Sequence, residues 1–224
     1  MLTTAEYRRR FLRQLALVPG DVLDKAHVAI IGVGGLGSFV ALALAKLGIA
    51  NLDLYDEDAI EEHNVSNQLY GPMHLGMRKT TACKEVIGLL TEHEHIVSHT
   101  YNVDRDLLIP APLVVTCVDS MEARAQIWQA IKGSPAVEAL IDARAGAEQL
   151  RFIYAPVSEH ARYETTLYSD EEALTLPCTA RAIIYTAFMA GSVVASLVKA
   201  HLTRKGGRYL EQCVDIPSFQ TLTF

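Results

Sequence analysis

Short apolar runs alternate with longer segments of helical pattern through the first two thirds of the chain. This alternation predicts an α/β fold, with a doubly wound and mainly parallel sheet. The predicted strands are His27–Val33, Asn51–Tyr55, Ile96–Tyr101, Leu113–Val118 and Glu138–Ile141. The predicted helices between them are Gly35–Leu47, Arg78–Leu90 and Met121–Ile131.

The pattern changes after Asp142. Residues Glu148–Tyr154 alternate between polar and apolar, which is typical of a strand with one solvated face. At the end of the chain, Gln212–Ile216 and Phe219–Phe224 resemble the two arms of a hairpin. These segments predict antiparallel strands at the C-terminal side of a Rossmann-like sheet.

Three further segments complete the predicted organisation, which is one domain over residues 1–224. Residues 6–24 resemble one or two short basic helices that lead into the sheet. The polar stretch Val157–Thr179 is too long for an ordinary connection, so we predict that it is a functional loop. The apolar stretch Ala182–Val198 is rich in small residues and slightly short for a bilayer, so we expect a buried helix rather than a membrane anchor.

A glycine-rich turn follows the first strand. Gly32, Gly34 and Gly37 have the G-x-G-x-x-G spacing, in which glycines allow a tight turn, the approach of backbone to phosphate, and close packing of helix on strand. The helix that begins at Gly35 would direct its unsatisfied N–H groups at a phosphate chain. Asp56 follows Gly37 by about 20 residues, where a carboxylate can accept hydrogen bonds from ribose hydroxyls. The turn therefore predicts a nucleotide site.

Composition narrows the class of protein. The 224 residues carry a net charge of −6 and have no long basic run, which argues against nucleic acid as the main partner. The four cysteines form no C-x-x-C pair, so neither a four-cysteine zinc site nor a disulfide framework is expected. The polar N-terminus lacks the apolar segment of a signal peptide, and a reducing cytoplasm is the expected location.

Several motifs, taken in order, resemble those of the ubiquitin-activating-enzyme-like adenylyltransferases, the ThiF/MoeB/HesA superfamily. The resemblance runs from about Phe11 to Ala200, and it is closest to the short bacterial members. The matching segments are Arg13-Gln14, Asp56-Glu57-Asp58, Asn64-Val65-Ser66-Asn67-Gln68, Gly76-Met77-Arg78-Lys79, Thr116-Cys117-Val118-Asp119-Ser120 with Arg124, and Asp142-Ala143-Arg144-Ala145-Gly146.

The resemblance implies ATP-dependent adenylation of the C-terminal glycine of a small ubiquitin-like or sulfur-carrier protein by a homodimer. Lys79 and Arg13 would supply positive charge, Arg13 by reaching across the dimer interface, and Asp119 would hold Mg²⁺. A conjugating enzyme would be a further partner if the carrier is passed on to another protein. The implied nucleotide-binding residues are Gly32, Gly34, Gly35, Gly37, Asp56, Asp58, Asn64, Asn67, Gln68 and Lys79.

One position departs from the family pattern. Asn67 stands where the family usually has an arginine on the phosphates. Either Arg13, Arg78 or Arg144 compensates for the missing charge, or adenylation is weakened; we favour compensation. The family's paired C-x-x-C motifs are also absent, so no structural zinc is expected.

Cys178 is the candidate nucleophile. It lies between the polar stretch and the apolar helix, close to Arg181, and a helix N-terminus and a nearby arginine both favour a thiolate. Its position resembles that of the thioester-forming cysteine of activating enzymes. The alternative is an inert cysteine at the start of a helix. Cys83, Cys117 and Cys213 are interpreted as core residues.

Two other functions remain open from the sequence. One is an NAD(P)-dependent oxidoreductase, although little chain is left for a separate substrate domain. The other is a nucleotide-binding partner subunit without catalysis, which the missing arginine at position 67 supports.

Overall fold

The computed structural model describes residues 9–93, 95–169, 183–203 and 207–224. Its strands are β1 (His27–Ile31), β2 (Asn51–Tyr55), β3 (Ile96–His99), β4 (Leu113–Thr116), β5 (Ala139–Gly146), β6 (Gln149–Pro156), β7 (Leu210–Asp215) and β8 (Gln220–Thr223). The helices are α1 (Gly20–Leu23), α2 (Gly35–Leu47), α3 (Lys79–Thr91), α4 (Met121–Gly133), α5 (His160–Glu164) and α6 (Ile184–Thr203).

The eight strands form one mixed sheet in the order β3-β2-β1-β4-β5-β6-β7-β8. Strands β1 to β5 pair in parallel, and β5 to β8 pair antiparallel. The predicted fold class, a parallel α/β sheet with antiparallel strands on its C-terminal side, is confirmed. Since β1 lies between β2 and β4, the strand order reverses between β1 and β4: β2 and β3 lie on one side of β1, and β4 and the later strands lie on the other.

Alternating side chains of β1 fill two hydrophobic cores. Val28 and Ile30 contribute to the core beneath α2, α3 and α6. Ala29 and Ile31 contribute to the core on the opposite face, where Trp128 of α4 is fully buried. This near-continuous apolar composition is typical of a parallel strand that is covered on both faces.

The long apolar helix α6 packs against α2. A methyl group placed on Gly191 would lie only 2.9 Å from the backbone oxygen of Phe39, so glycine permits close contact between the two helix backbones. Helix α6 is long and apolar enough to cross a membrane by length and composition alone. Its buried residues, Ala187, Ala190 and Val194 among them, belong to the protein core, as predicted for a buried helix.

In the described part of the N-terminal segment, residues 9–10 and Gly20–Leu23 are helical and residues 11–17 form turns. Two predicted boundaries farther along the chain were wrong. The stretch predicted as a loop contains the short helix α5. Strand β5 continues to Gly146 instead of ending at Ile141, because its pairing with β6 runs without interruption to the turn at Ala147.

Candidate nucleotide-binding site

The candidate site lies where the central parallel strands end. Ile31 pairs with Tyr55 on one side and with Thr116 on the other, so the residues that follow these three strands meet at one edge of the sheet. The motifs that begin at Gly32, Asp56 and Cys117 are therefore neighbours, although they are far apart in the sequence. Crevices at such carboxyl edges, next to a reversal of strand order, are the usual ligand sites of open α/β sheets.

Glycine is found at each position of the turn for a different structural reason. Gly32 has a φ of 83°, in the left-handed region that favours glycine. A methyl group on Gly37 would lie 1.8 Å from the backbone oxygen of Gly32, so this position tolerates no side chain. A methyl group on Gly34 would lie at ordinary van der Waals distance from its nearest neighbours, 3.7 Å from the Nε2 of Gln68 and 3.9 Å from the Nζ of Lys79, so no backbone group closes this position. Gly35 begins α2.

Asp56 holds the turn in place. Its Oδ2 accepts a hydrogen bond from the backbone N–H of Val33, and its Oδ1 accepts one from the N–H of Asp58, both at 2.9 Å. Burial raises the pKa of Asp56, although Lys79 and the two backbone N–H groups oppose this rise. Asp56 is only 9% exposed, and its principal contacts are with the backbone. A ribose could therefore contact only the small part of its side chain that remains accessible.

Lys79 and Asp58 form an ion pair beside the turn. The Nζ of Lys79 lies 2.7 Å from the Oδ2 of Asp58, and the Lys79 backbone N–H donates to the Asp58 backbone oxygen. The Lys79 side chain is 10% exposed and that of Asp58 is 62% exposed. Lys79 is thus a nearly buried cation. Because its partner carboxylate is accessible, another anion can replace Asp58 beside it.

The segment with Asn64, Asn67 and Gln68 lies over Gly34 and Gly35. The Oδ1 of Asn64 accepts from the N–H of Glu61 and fixes the local turn, so Asn64 is held by the protein itself. In contrast, the Oδ1 of Asn67 and the Oε1 of Gln68 are buried without a hydrogen-bond partner among the described residues. Buried polar atoms are rarely left unsatisfied, and these two fit a polar ligand that brings donors.

Asp119 is exposed in the turn between β4 and α4. The next residue, Ser120, caps α4 through a hydrogen bond that its Oγ accepts from the N–H of Ala123. Arg124, one turn into the helix, donates back to the oxygens of Val118 and Ser120 on either side of Asp119. The turn that carries Asp119 is therefore fixed at both ends.

A buried charge cluster anchors this turn to β5. Asp142 is fully buried and accepts from the Nε of Arg124 at 3.1 Å, the Nε of Arg144 at 2.7 Å and the hydroxyl of Tyr163 at 2.9 Å. Arg144 also donates to the backbone oxygen of Thr166. Burial alone would raise the pKa of Asp142, but the two guanidinium groups outweigh it and hold that pKa below its usual value. Sequence reasoning missed Tyr163 and Thr166, which carry no local signal.

One predicted site residue is not at this edge, and another lies outside the described residues. Arg13 is exposed, and its neighbour Gln14 donates to the backbone oxygen of Leu47 at the C-terminal end of α2. The glycine turn lies at the N-terminal end of that 13-residue helix, about 20 Å away at the usual rise per residue. Cys178 lies outside the described residues.

Cys83 is buried in the core and Cys117 packs against it, as interpreted, whereas Cys213 is half-buried and belongs to neither core. Burial raises the pKa of Cys83 and of Cys117 to about 12, and it also raises the pKa of Cys213. These thiols stay protonated at neutral pH and are poor nucleophiles. Among the described residues, no group of three or more His, Cys, Asp or Glu side chains is arranged to share a metal ion.

Solved structures share this fold across almost the whole chain. A crystal structure of PaaA superposes with a TM-score of 0.76 at 19% identity, covering 100% of this chain and 74% of the other. A structure of E. coli MccB with ATP has a TM-score of 0.75 at 21% identity, with 97% and 70% covered. TcdA has a TM-score of 0.69 at 17% identity, with 92% and 98% covered.

Sequence comparisons also find similar proteins. Ubiquitin-like modifier-activating enzyme 5 of Drosophila ananassae is 33% identical over 122 residues, which are 47% of this chain and 31% of that protein. Its counterpart in Dictyostelium discoideum is 34% identical over 136 residues, 53% of this chain and 36% of that protein. The matches thus span about a third of the length of these relatives. The ThiF family model matches residues 9–221, and the chain belongs to the ThiF family.

Proposed function

We propose that this protein adenylates the C-terminal carboxylate of a small ubiquitin-like or sulfur-carrier protein, with ATP as the nucleotide. The observation that carries the proposal is the arrangement around Gly34. There, the nearly buried Lys79 cation lies beside the glycine turn, and the unsatisfied buried oxygens of Asn67 and Gln68 could accept from the donors of a ligand. Family membership and the MccB structure with ATP support the choice of nucleotide.

The nucleotide phosphates would lie at the N-terminus of α2. The backbone N–H groups of the glycine turn and the positive end of the helix dipole favour an anion there. Lys79 would leave Asp58 and bind the phosphates instead, because a phosphate carries more charge than one accessible carboxylate. Asp58 and the remaining accessible surface of Asp56 would then face the ribose.

In the reaction, a carboxylate oxygen of the carrier attacks the α-phosphorus of ATP. The new bond joins that oxygen to phosphorus, the bond between the α-phosphorus and its bridging oxygen breaks, and the electron pair leaves with pyrophosphate. Charge shifts onto the leaving group, so fixed cations contribute more than a general base. Lys79 is such a cation and is already held in position.

Asp119 fits a role as a magnesium ligand. Its carboxylate is an exposed hard oxygen donor on a fixed turn, and Mg²⁺ in phosphate sites commonly uses one or two carboxylates together with the substrate phosphates. Bound there, the ion would neutralise phosphate charge. Arg124 and Asp142 act on this site indirectly, by holding the turn on which Asp119 lies.

Arg13 acts in trans in this proposal. Its position at the far end of α2 leaves its own glycine turn out of reach, whereas a second protomer could bring it to the neighbouring site. Mixing Arg13→Ala protein with Asp119→Ala protein should then restore part of the activity, because one composite site regains both groups. Mixtures proven to exchange subunits but without recovery would exclude this role.

Cys178 would form a thioester with the carrier if the adenylate is passed to a thiol. The raised pKa values of the three described cysteines leave Cys178 as the preferred candidate. Carrier and ATP should then give an adduct that reducing agent cleaves, and Cys178→Ala should lose the adduct but keep ATP–pyrophosphate exchange. Persistence of the cleavable adduct in Cys178→Ala would place the nucleophile elsewhere.

The decisive experiment is carrier-dependent exchange of labelled pyrophosphate into ATP, with the carriers encoded by neighbouring genes. Exchange with one of them would establish adenylation and identify the partner. Tight ATP binding without exchange would support the second candidate, a partner subunit without catalysis, which the uncharged Asn67 favours. The family match across residues 9–221 argues against the oxidoreductase alternative, and tight NAD binding without ATP binding would reverse that judgement.

A further inference from the structure

The phosphate side of the candidate site has little uncommitted positive charge. Arg124 and Arg144 are buried, and both pair with Asp142, so neither can turn to a phosphate without leaving a buried carboxylate uncompensated. Among the described residues, Lys79 is the one whose cationic group would lie within 4 Å of a methyl group on Gly34, and its side chain is nearly buried. A triphosphate carries several negative charges, which one lysine balances only in part.

Arg78 is a cation at the rim of this site. It immediately precedes α3 and pairs through its backbone with Ala59 in an isolated bridge. Its guanidinium donates to the backbone oxygen of Glu57, on the turn that also carries Asp58. The side chain is exposed, and within the described part of the chain its charge has no carboxylate within ion-pair distance. Arg78 thus has an available charge next to the Lys79–Asp58 pair.

We propose that Arg78 binds the pyrophosphate portion of ATP and supplies the charge that Asn67 lacks, an inference that rests on the proposed function. Of the three arginines that could compensate, Arg144 is committed to Asp142, and Arg13 could reach the phosphates only from a second protomer, so Arg78 is the candidate within the same chain. The planar guanidinium has paired N–H donors that match phosphate oxygens. Its exposed position suits the outer phosphates, because the leaving group must depart to solvent.

The test compares Arg78→Gln with the parent protein by calorimetric titration of ATP, pyrophosphate and AMP without a carrier. Loss of a charge-assisted contact should weaken ATP and pyrophosphate binding about tenfold or more, and AMP binding should stay within about twofold. Arg78→Lys keeps the charge and should retain most of the ATP affinity. Lys84→Gln, which removes an exposed charge from the same helix, is the matched control and should bind all three ligands like the parent.

A double variant tests the compensation directly. Asn67→Arg in the Arg78→Gln background should recover ATP affinity, because either position would then supply the same charge. A folded double variant without recovery would contradict the compensation.

Two failures can be told apart. A parent protein that binds ATP while Arg78→Gln binds it equally well overturns the role of Arg78 and leaves the proposed function intact. An equal loss of ATP affinity in Lys84→Gln would also overturn the role of Arg78, because the loss would then come from the change in overall charge. A parent protein that binds no ATP overturns the proposed function itself.

Discussion

Asp142 and Asp58 both pair with cations close to the ends of the parallel strands, but in opposite environments. Asp142 is fully buried, and both of its oxygens are satisfied by arginines and a tyrosine. Asp58 is mostly exposed and pairs with one lysine. The first group has no capacity left for a ligand, whereas the second can exchange its partner. Burial and hydrogen-bond satisfaction, more than the presence of charge, therefore separate the groups that hold this edge together from those available for a ligand.

Gly37 and Gly34 differ in the same way, since Gly37 is required by the fold and Gly34 is expected to face the ligand. Substitution of Gly37 should have the largest effect on stability. Gly37→Ala should lower the free energy of unfolding by about 4 to 5 kcal/mol or prevent folding, because its methyl group would overlap the Gly32 oxygen. Gly34→Ala is the matched control and should fold normally. It should nevertheless lose ATP affinity, because its methyl group would fill the space beside Lys79. Urea denaturation and ATP titration measure the two effects, and normal ATP binding by Gly34→Ala would contradict the placement of the phosphates.

Asp142→Asn should destabilise the protein by about 3 to 5 kcal/mol, because it leaves two buried guanidinium groups without their anion. The pH dependence checks the cause. Since the pKa of Asp142 is lowered in the folded state, its contribution is present above the unfolded-state value of about 3.9 and is lost as the pH falls towards the folded-state value. Denaturant midpoints should therefore fall less steeply below about pH 4 in Asp142→Asn than in the parent, and parallel profiles would refute the assignment.

Asp119→Ala should slow adenylate formation by about 100- to 1,000-fold, because it removes a group that stabilises charge developed in the transition state. The thermal midpoint should remain unchanged, since the turn is held by Ser120 and Arg124. Single-turnover measurement of adenylate is the assay. Near-normal turnover would exclude Asp119 from the mechanism.

Asp58→Asn should have only a small effect on folding, less than about 1 kcal/mol, because its carboxylate is 62% exposed and contributes little, and the amide oxygen of asparagine can still accept from Lys79. Urea denaturation of Asp58→Asn and Asp142→Asn side by side compares their losses of unfolding free energy directly. Equal destabilisation by the two substitutions would remove the distinction between a satisfied and an exchangeable pair.

The local features of this molecule could be predicted from the sequence, and the long-range ones could not. Apolar runs indicated the strands around the glycine turn, and their alternation with helices indicated a doubly wound, mainly parallel sheet. The environment of Asp142 depends on Arg124, Tyr163 and Thr166, which the fold brings together from two other segments. The sequence likewise suggested a ribose contact for Asp56, but its hydrogen bonds to Val33 and Asp58 require the folded turn.

The contact of Gly191 with the Phe39 backbone also has a consequence for dynamics. Since no side chain lies between them at this point, α2 and α6 have little room to slide, and we expect the two helices to move together. A ligand that immobilises the first turn of α2 would therefore slow amide hydrogen exchange in the middle of α6 as well. Ligand binding at the glycine turn would in this way change the dynamics of α6, which begins at Ile184, shortly after Cys178 in the chain.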